Sequence, residues 1–142
     1  MSQKKILVAV DRSDMDKSVV KSALDVARNT DSSIIILSVI DIAKFIASVG
    51  ELNYNSIMGE EKGLEKYLQN LIKNTAKNDK KIEFRIMQGD PASKICEFAK
   101  ELGASLVVIG TRGLGKIKSK LLGSVSENVI KNCNCSVLIV RS

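Results

Sequence analysis

Short apolar runs alternate with longer stretches of helical periodicity along this chain of 142 residues. The apolar runs lie at 4–10, 33–40, 82–87, 106–109 and 137–140. Between them, apolar residues recur at helical spacing in 19–27, 60–78, 91–102 and 124–130. Runs that are apolar on both faces are typical of buried parallel strands. The alternation predicts an α/β fold with a parallel sheet and helices on both faces.

Local signals refine this prediction at three places. Run 82–87 alternates apolar and polar residues, which favours an edge strand with one face less buried. Asp90 and Pro91 have the order of an N-cap and a first helical residue, and Gly103 is expected to end that helix. The segment 41–59 mixes apolar residues with glycine and asparagine. We predict a partly helical loop there that could cover a ligand.

Composition limits the function classes. The hydrophobic content of 44% and charged content of 27% are those of a globular chain, and the length fits one domain over 1–142. No apolar run approaches the roughly 20 residues of a membrane span, and no signal peptide is recognisable, so a cytoplasmic location is predicted. The chain has no histidine, which excludes Ser-His-Asp and Cys-His catalysis. Three cysteines predict no disulfide framework, and Cys96 is expected to pack on a helix face.

The net charge of +6 raises the question of an anionic partner. The lysines are spread over every predicted helix and aromatic residues are scarce, so a nucleic-acid groove is not favoured. A solvated basic surface is the simpler interpretation.

A glycine-rich segment lies between the fourth apolar run and the last helical stretch. It contains Gly110 and Gly113, then nine residues, then Gly123 and Ser124. Glycine allows close approach of the backbone to an anion, and the N–H groups of a helix N-terminus point towards it. The segment therefore predicts a phosphate site. The glycines could instead serve only as turns, and Ser124 with Glu127 also fits a capping box.

The predicted fold brings the glycine-rich segment close to residues at the ends of other strands. Ligands of open parallel sheets bind beyond the carboxyl ends of the strands, where the strand order reverses. If the first strand neighbours the fourth, Asp11 lies beside the loop and can take ribose hydroxyls. The backbone near Val39 can then pair with an adenine edge, and the amides of 123–126 can hold phosphates. Asp11 could equally be an ordinary cap or turn residue.

Two other phosphate motifs do not fit. The Rossmann pattern Gly-x-Gly-x-x-Gly is absent. Residues 110–116 satisfy Gly-x-x-x-x-Gly-Lys of a P-loop, but Ile117 follows where a hydroxyl should reach Mg²⁺. We interpret the P-loop match as coincidental.

Three ordered motifs resemble the universal stress protein family over essentially the full length. They are the glycine segment with its signature Gly-x-x-Gly-(nine residues)-Gly-Ser, the opening run 6–13 that ends Val-Asp-Arg-Ser, and the closing run 135–141. The resemblance implies a five-stranded parallel sheet in the order 3-2-1-4-5, of the Rossmann-like, adenine nucleotide alpha hydrolase-like type. It also implies homodimers paired through the last strand, from Val137 to Arg141, and in one branch of the family bound ATP.

Carried over by position, the resemblance implies that Val39 meets adenine, that Asp11 meets the ribose and that the glycine segment surrounds the phosphates. The full candidate set is Ala9, Asp11, Val39, Ile109, Gly110, Arg112, Gly113, Gly123, Ser124, Val125 and Ser126. The chain departs from the family pattern in its basic loop, which carries Arg112, Lys116, Lys118 and Lys120.

The sequence favours a nucleotide-binding regulatory protein that acts through ligand-dependent conformation or partner choice. The expected ligand is ATP, with AMP or ADP as alternatives, together with Mg²⁺ or Mn²⁺ bound through the phosphates. Phosphoryl transfer needs a positioned base, and none is recognisable, so catalysis is limited to slow hydrolysis or autophosphorylation on Ser124 or Ser126. The third hypothesis is an interaction protein that uses its basic surface without a nucleotide.

Overall fold

The computed structural model of this chain describes residues 4–76, 82–111 and 122–141. The strands are β1 (Lys5–Ala9), β2 (Ser33–Asp41), β3 (Ile82–Gly89), β4 (Leu106–Gly110) and β5 (Ser136–Val140). The helices are α1 (Asp16–Thr30), α2 (Ile42–Val49), α3 (Tyr54–Thr75), α4 (Pro91–Leu102) and α5 (Ser124–Asn132).

The five strands form one parallel sheet in the order β3-β2-β1-β4-β5. Both the parallel α/β architecture predicted from the alternation and the strand order implied by the family resemblance are confirmed. The chain winds outwards from β1 to β3, then returns to place β4 on the other side of β1. The carboxyl ends of β1 and β4 therefore flank the point where the strand order reverses, which is where ligands bind in open α/β sheets.

Alternate side chains of each central strand enter two separate cores. Ile6 and Val8 of β1 face a cluster formed with α1 and α3. Leu7 and Ala9 face a second cluster formed with α4 and α5. The sheet is thus the middle of three layers, and its apolar residues on both faces are explained by burial on both sides.

Helix ends follow the local signals. Asp90 accepts the N–H of Ser93 as the N-cap of α4, Pro91 begins that helix, and Gly103 ends it at φ 64°, all as predicted. Segment 41–59 is more helical than predicted. Asp41 is the N-cap of α2, and its side chain accepts the backbone N–H of Lys44. Asn53 is the N-cap of α3, which begins at Tyr54 and not at residue 60. Polar residues in the first turns of α3 hid its periodicity.

The edge strands and helix α2 are less buried than the central strands. β3 is an edge strand, as its alternation predicted, and β5 is the other edge. α2 has no buried residue. None of the helices in the described part of the chain combines the length and the apolar character that crossing a bilayer requires.

A disulfide joins Cys96 of α4 to Cys133, the residue that follows α5, with their Cα atoms 4.9 Å apart. The expectations that the cysteines form no disulfide framework and that Cys96 only packs on a helix face are therefore wrong. The two cysteines are 37 residues apart in sequence, and only the packing of α4 beside α5 on one face of the sheet brings them together. Cys135 is a free thiol.

Candidate functional site

A cavity of about 700 Å³ opens at the carboxyl ends of β1, β2 and β4. Nine of the eleven residues predicted from the sequence line it, which are Ala9, Asp11, Val39, Ile109, Gly110, Gly123, Ser124, Val125 and Ser126. Arg112 and Gly113 lie outside the described residues, as does the rest of the basic loop 112–121. The structure therefore brings the described candidates to one concave surface, as the strand order requires.

Asp11 stands at the cavity in a tight turn that follows β1. Its carboxylate accepts the N–H of Ser13 at 3.1 Å, so it serves as a turn residue, one of the two roles considered for it. The side chain is also exposed and lines the cavity, so the other role stays open to it. The next residue, Arg12, has φ 64° in the left-handed region, which is unfavourable for a residue with a Cβ and must be held by its surroundings.

The turn is held by a buried carboxylate that the sequence analysis did not single out. Asp16, the first residue of α1, is 2% exposed. Its carboxylate accepts the backbone N–H of Arg12 at 2.8 Å and that of Asp11 at 3.3 Å. It also accepts the hydroxyl of Ser13 at 3.3 Å and the hydroxyl of Tyr67 from α3. One carboxylate thus gathers four donors from the turn and from a distant helix.

Burial raises the pKa of Asp16 to about 6, against the opposing effect of the Tyr67 hydroxyl and the two turn amides, while the nearby Asp11 charge adds to the rise. Burial and the bond to Asp16 raise the pKa of Tyr67 as well, so its hydroxyl stays protonated and acts as a donor. The sequence carried only weak signals for this pair. Asp16 is unremarkable as an acid in a first helical turn, and Tyr67 falls in the apolar stripe of α3.

Arg12 links this network to the surface of α3. Its guanidinium lies over the ring of Tyr67, 5.9 Å from the centroid, and pairs with Glu60 at 3.2 Å. A Cβ at Gly63 would stand 3.3 Å from Arg12 Nη2, so the missing side chain leaves room for the guanidinium against the helix. The β1 turn and α3 are therefore joined by several polar contacts at one side of the cavity.

The opposite side is the N-terminus of α5. Gly123 is the N-cap, and the first helical bond runs from the N–H of Glu127 to its carbonyl at 3.0 Å. The N–H groups of Ser124, Val125 and Ser126 precede that bond, so they have no acceptor within the helix. The predicted capping box is wrong, since Ser124 is already the first helical residue.

Two residues near this helix end have structural tasks. The buried hydroxyl of Ser126 donates to the carbonyls of Thr111 and Gly123, which fastens α5 to the end of β4. A Cβ at Gly110 would lie 3.3 Å from Val19 Cγ2 and 3.4 Å from Met15 Cε. Glycine at 110 is thus explained by the close packing of β4 against α1, without any ligand.

On the third side, Val39 was among the predicted residues, whereas the residues of α2 were anticipated only as part of segment 41–59. Val39 and Asp41 at the end of β2, together with Lys44 and Phe45 of α2, line the cavity. Segment 41–59 thus contributes a helix, α2, to the lining of the cavity, and its role as a cover stays a prediction. Within residues 4–76, 82–111 and 122–141, no group of three or more cysteine, aspartate or glutamate side chains is arranged to hold a metal ion.

Comparison with known proteins decides the family. The sequence profile of the universal stress protein family matches residues 3–141. This chain belongs to the universal stress protein family. Universal stress protein MJ0531 of Methanocaldococcus jannaschii is 35% identical over 140 residues, which cover 97% of this chain and 82% of the relative.

Solved structures show the same fold. The hypothetical protein MJ0577 superposes with a TM-score of 0.80 at 30% identity, covering 100% of this chain and 98% of that one. A universal stress protein in complex with cAMP superposes with a TM-score of 0.68 at 27% identity, covering 99% of this chain and 98% of its own. The family resemblance drawn from the three motifs is therefore confirmed, and at least one member with this universal stress protein fold has been solved with an adenine nucleotide.

Proposed function

We propose that this universal stress protein binds an adenine nucleotide in the cavity between the β1 turn and the N-terminus of α5. The observation that carries the proposal is that an exposed carboxylate, Asp11, and the helix N-terminal N–H groups at 124–126, which have no acceptor within α5, line one cavity. A carboxylate accepts ribose hydroxyls, and a helix N-terminus favours phosphate. The cAMP complex of a relative supports an adenine nucleotide as the ligand class.

ATP is the proposed resident ligand, with AMP and ADP as alternatives. The residues proposed to hold it are the nine described candidates, with Val39 at the adenine and Asp11 at the ribose. Arg112 and Gly113 complete the proposed phosphate side. Mg²⁺ or Mn²⁺ would be held through the phosphates, and it would neutralise their charge there. The bound nucleotide is proposed to act as a regulatory signal that alters conformation or partner choice.

The first experiment identifies the ligand. Protein purified without added nucleotide is denatured, and mass spectrometry is expected to find released adenine nucleotide. Calorimetric titration of stripped protein with ATP, ADP, AMP and cAMP, against GTP, then ranks the ligands. If neither measurement detects an adenine nucleotide, the proposal is wrong.

A second experiment tests the two sides of the cavity separately. Asp11→Ala is expected to weaken ATP binding by about tenfold or more, because charge-assisted bonds to the ribose are lost. Asp14→Asn is the matched control, since Asp14 is an exposed acid of the same turn that does not line the cavity. Equal affinities of Asp11→Ala and the control would exclude the ribose contact.

Gly123→Asp tests the phosphate side. An aspartate at this N-cap accepts the helix N–H groups and places a negative charge where the phosphate would lie. We expect the variant to fold at least as stably as the parent, to bind adenosine normally and to lose most of its preference for ATP over adenosine. Gly123→Asn is the matched neutral cap. An unchanged ATP preference in Gly123→Asp would place the phosphates elsewhere.

The dimer remains a proposal from the family resemblance. β5 supports it as an edge strand whose outer backbone edge is not covered by another strand of the described sheet. Sedimentation is expected to give twice the mass of one chain. A cytoplasmic location is likewise proposed, and in that reducing compartment the Cys96–Cys133 bond would be subject to reduction.

A further inference from the structure

Asp16 and Tyr67 meet directly beneath the turn that carries Asp11, although they are 51 residues apart and belong to different helices. Asp16 Oδ1 takes the Asp11 amide and the Ser13 hydroxyl, and Oδ2 takes the Arg12 amide and the Tyr67 hydroxyl. An ionised carboxylate accepts at both oxygens without donating, whereas a protonated carboxyl carries a donor on one oxygen and is a weaker acceptor there. The geometry of the turn therefore matches the charged form of Asp16.

We propose that Asp16 and Tyr67 form a positioning pair for Asp11, in which ionised Asp16 holds the β1 turn in its ligand-binding shape and protonation of Asp16 weakens nucleotide binding. This inference rests on the proposed function, because Asp11 is there assigned to the ribose.

Protonation converts one carboxylate oxygen from acceptor to donor. The hydroxyls of Ser13 and Tyr67 can rotate and accept, but a backbone N–H cannot. A proton on Oδ2 can be donated to the Tyr67 hydroxyl, but it removes the negative charge that strengthens the bond from the Arg12 amide, at 2.8 Å the shorter of the two amide contacts. Since Arg12 has a left-handed backbone conformation that its surroundings must hold, weakening of this bond relaxes the turn.

Within residues 4–76, 82–111 and 122–141, the charged and titratable groups that face Asp16 come from its own turn and from α3. From its own turn, Asp11 and Arg12 face it, and from α3 Tyr67 donates to it while Glu60 pairs with Arg12. From the end of β4, the hydroxyl of Thr111 contacts the sulfur of the neighbouring Met15 and brings no charge. Burial raises the pKa of Asp16 to about 6. The switch between the two states of the turn therefore falls within the pH range that cells experience.

The test uses adenosine, which carries the ribose but no titrating phosphate. Its affinity for the protein is measured by calorimetry from about pH 5 to about pH 8. For the parent protein we expect a loss of about tenfold towards the acid end, the worth of roughly one charge-assisted bond, with a midpoint near 6.

Two variants give different signatures. Asp16→Asn has no titrating group at this place, so its affinity is expected to be flat with pH. Tyr67→Phe keeps the ring beneath Arg12 but loses the hydroxyl that opposes the rise in the pKa of Asp16, so the midpoint is expected to move to higher pH. The controls are Asp14→Asn and Tyr54→Phe, an exposed acid and an exposed tyrosine, which are expected to follow the parent.

A parent protein whose adenosine affinity is flat with pH overturns the inference, and so does a Tyr67→Phe midpoint equal to that of the parent. If ATP binds while the adenosine profile is flat, only the inference is lost and the proposed function stands. If no adenine compound binds at any pH, both are overturned.

A further measurement does not depend on a variant or a ligand. The amide protons of Asp11 and Arg12 donate to the Asp16 carboxylate, so their NMR shifts in the unliganded parent are expected to titrate together with a midpoint near 6. Amide shifts that do not move over this range would also overturn the inference.

Discussion

The two sides of the cavity are held by different chemistry. On the β1 side, donors from the turn and from α3 converge on the buried carboxylate of Asp16. On the α5 side, a disulfide joins Cys96 to Cys133, and the helix faces the cavity with backbone N–H groups. A buried carboxylate responds to protons and a disulfide responds to thiols, so each side is sensitive to a different change of conditions.

The largest expected loss of stability follows from removal of the disulfide on the α5 side. Reduction, or Cys133→Ser, removes the covalent link between two cysteines that are 37 residues apart in sequence. The chain-entropy relation gives a loss of about 4 kcal/mol in the free energy of unfolding. Urea denaturation of the oxidised and reduced protein measures it, with Cys135→Ser as the control that keeps the bond. Equal stability of the two forms would mean that the disulfide constrains nothing.

The next effect concerns the proton-sensitive side. The pKa of Asp16 is raised from 3.8 to about 6, so the native state binds this proton more tightly than the unfolded chain. The contribution of Asp16 to stability is therefore complete below about pH 4 and is lost as the pH rises through 6, a change of about 3 kcal/mol. The difference in unfolding free energy between the parent and Asp16→Asn, followed over this range, isolates it. Curves that stay parallel would contradict the assignment.

Ligand affinity and folding stability are therefore expected to change in opposite directions as Asp16 ionises. Ionised Asp16 is the state proposed to bind ligand, yet ionisation of a buried carboxyl destabilises the fold. Stability and binding are in conflict at this residue, as is common for residues that serve a site.

Gly110→Ala tests the packing of β4, the strand that lies between the two sides of the cavity. The new Cβ would lie 3.3 Å from Val19 Cγ2 and 3.4 Å from Met15 Cε, so we expect a loss of about 1–2 kcal/mol from overpacking. Gly59→Ala is the matched control of opposite sign. It lies within α3 with nothing within 4 Å of the added carbon, and alanine there is expected to stabilise by about 0.5–1 kcal/mol. A Gly110→Ala variant as stable as the parent would show that α1 yields easily.

The smallest effect is at the surface of the β1 side. Glu60→Gln removes the partner of Arg12, but both side chains are about one-third exposed. Water screens such a pair, so the expected loss is below about 1 kcal/mol and shrinks with added salt. A loss of several kcal/mol that salt does not reduce would show that Glu60 supports the Asp16 network directly.

The sequence predicted those features that depend on local patterns. Buried strands follow from apolar runs, and the ends of α4 follow from Asp90, Pro91 and Gly103. The location of the candidate site follows from strand ends and the glycine segment. The family resemblance added the strand order.

The missed features are all contacts between distant parts of the chain. Asp16 and Tyr67 are 51 residues apart, and each fits an ordinary role on its own helix. The cysteine pair depends on the packing of α4 against α5, which no spacing reveals. The tight contact of Gly110 with α1, which requires a glycine whether or not a ligand binds there, is visible only in three dimensions.

The bond between Cys96 and Cys133 closes a covalent ring that contains the whole of β4, one of the central strands. In the oxidised protein, α5 cannot separate from the sheet without also disturbing β4, which belongs to the same covalent ring. We therefore expect amide hydrogens of α4 and α5 to exchange with solvent at similarly slow rates, as one cooperative unit. After reduction, the short α5 is free to exchange early, and with it the part of the molecule nearest the proposed phosphates.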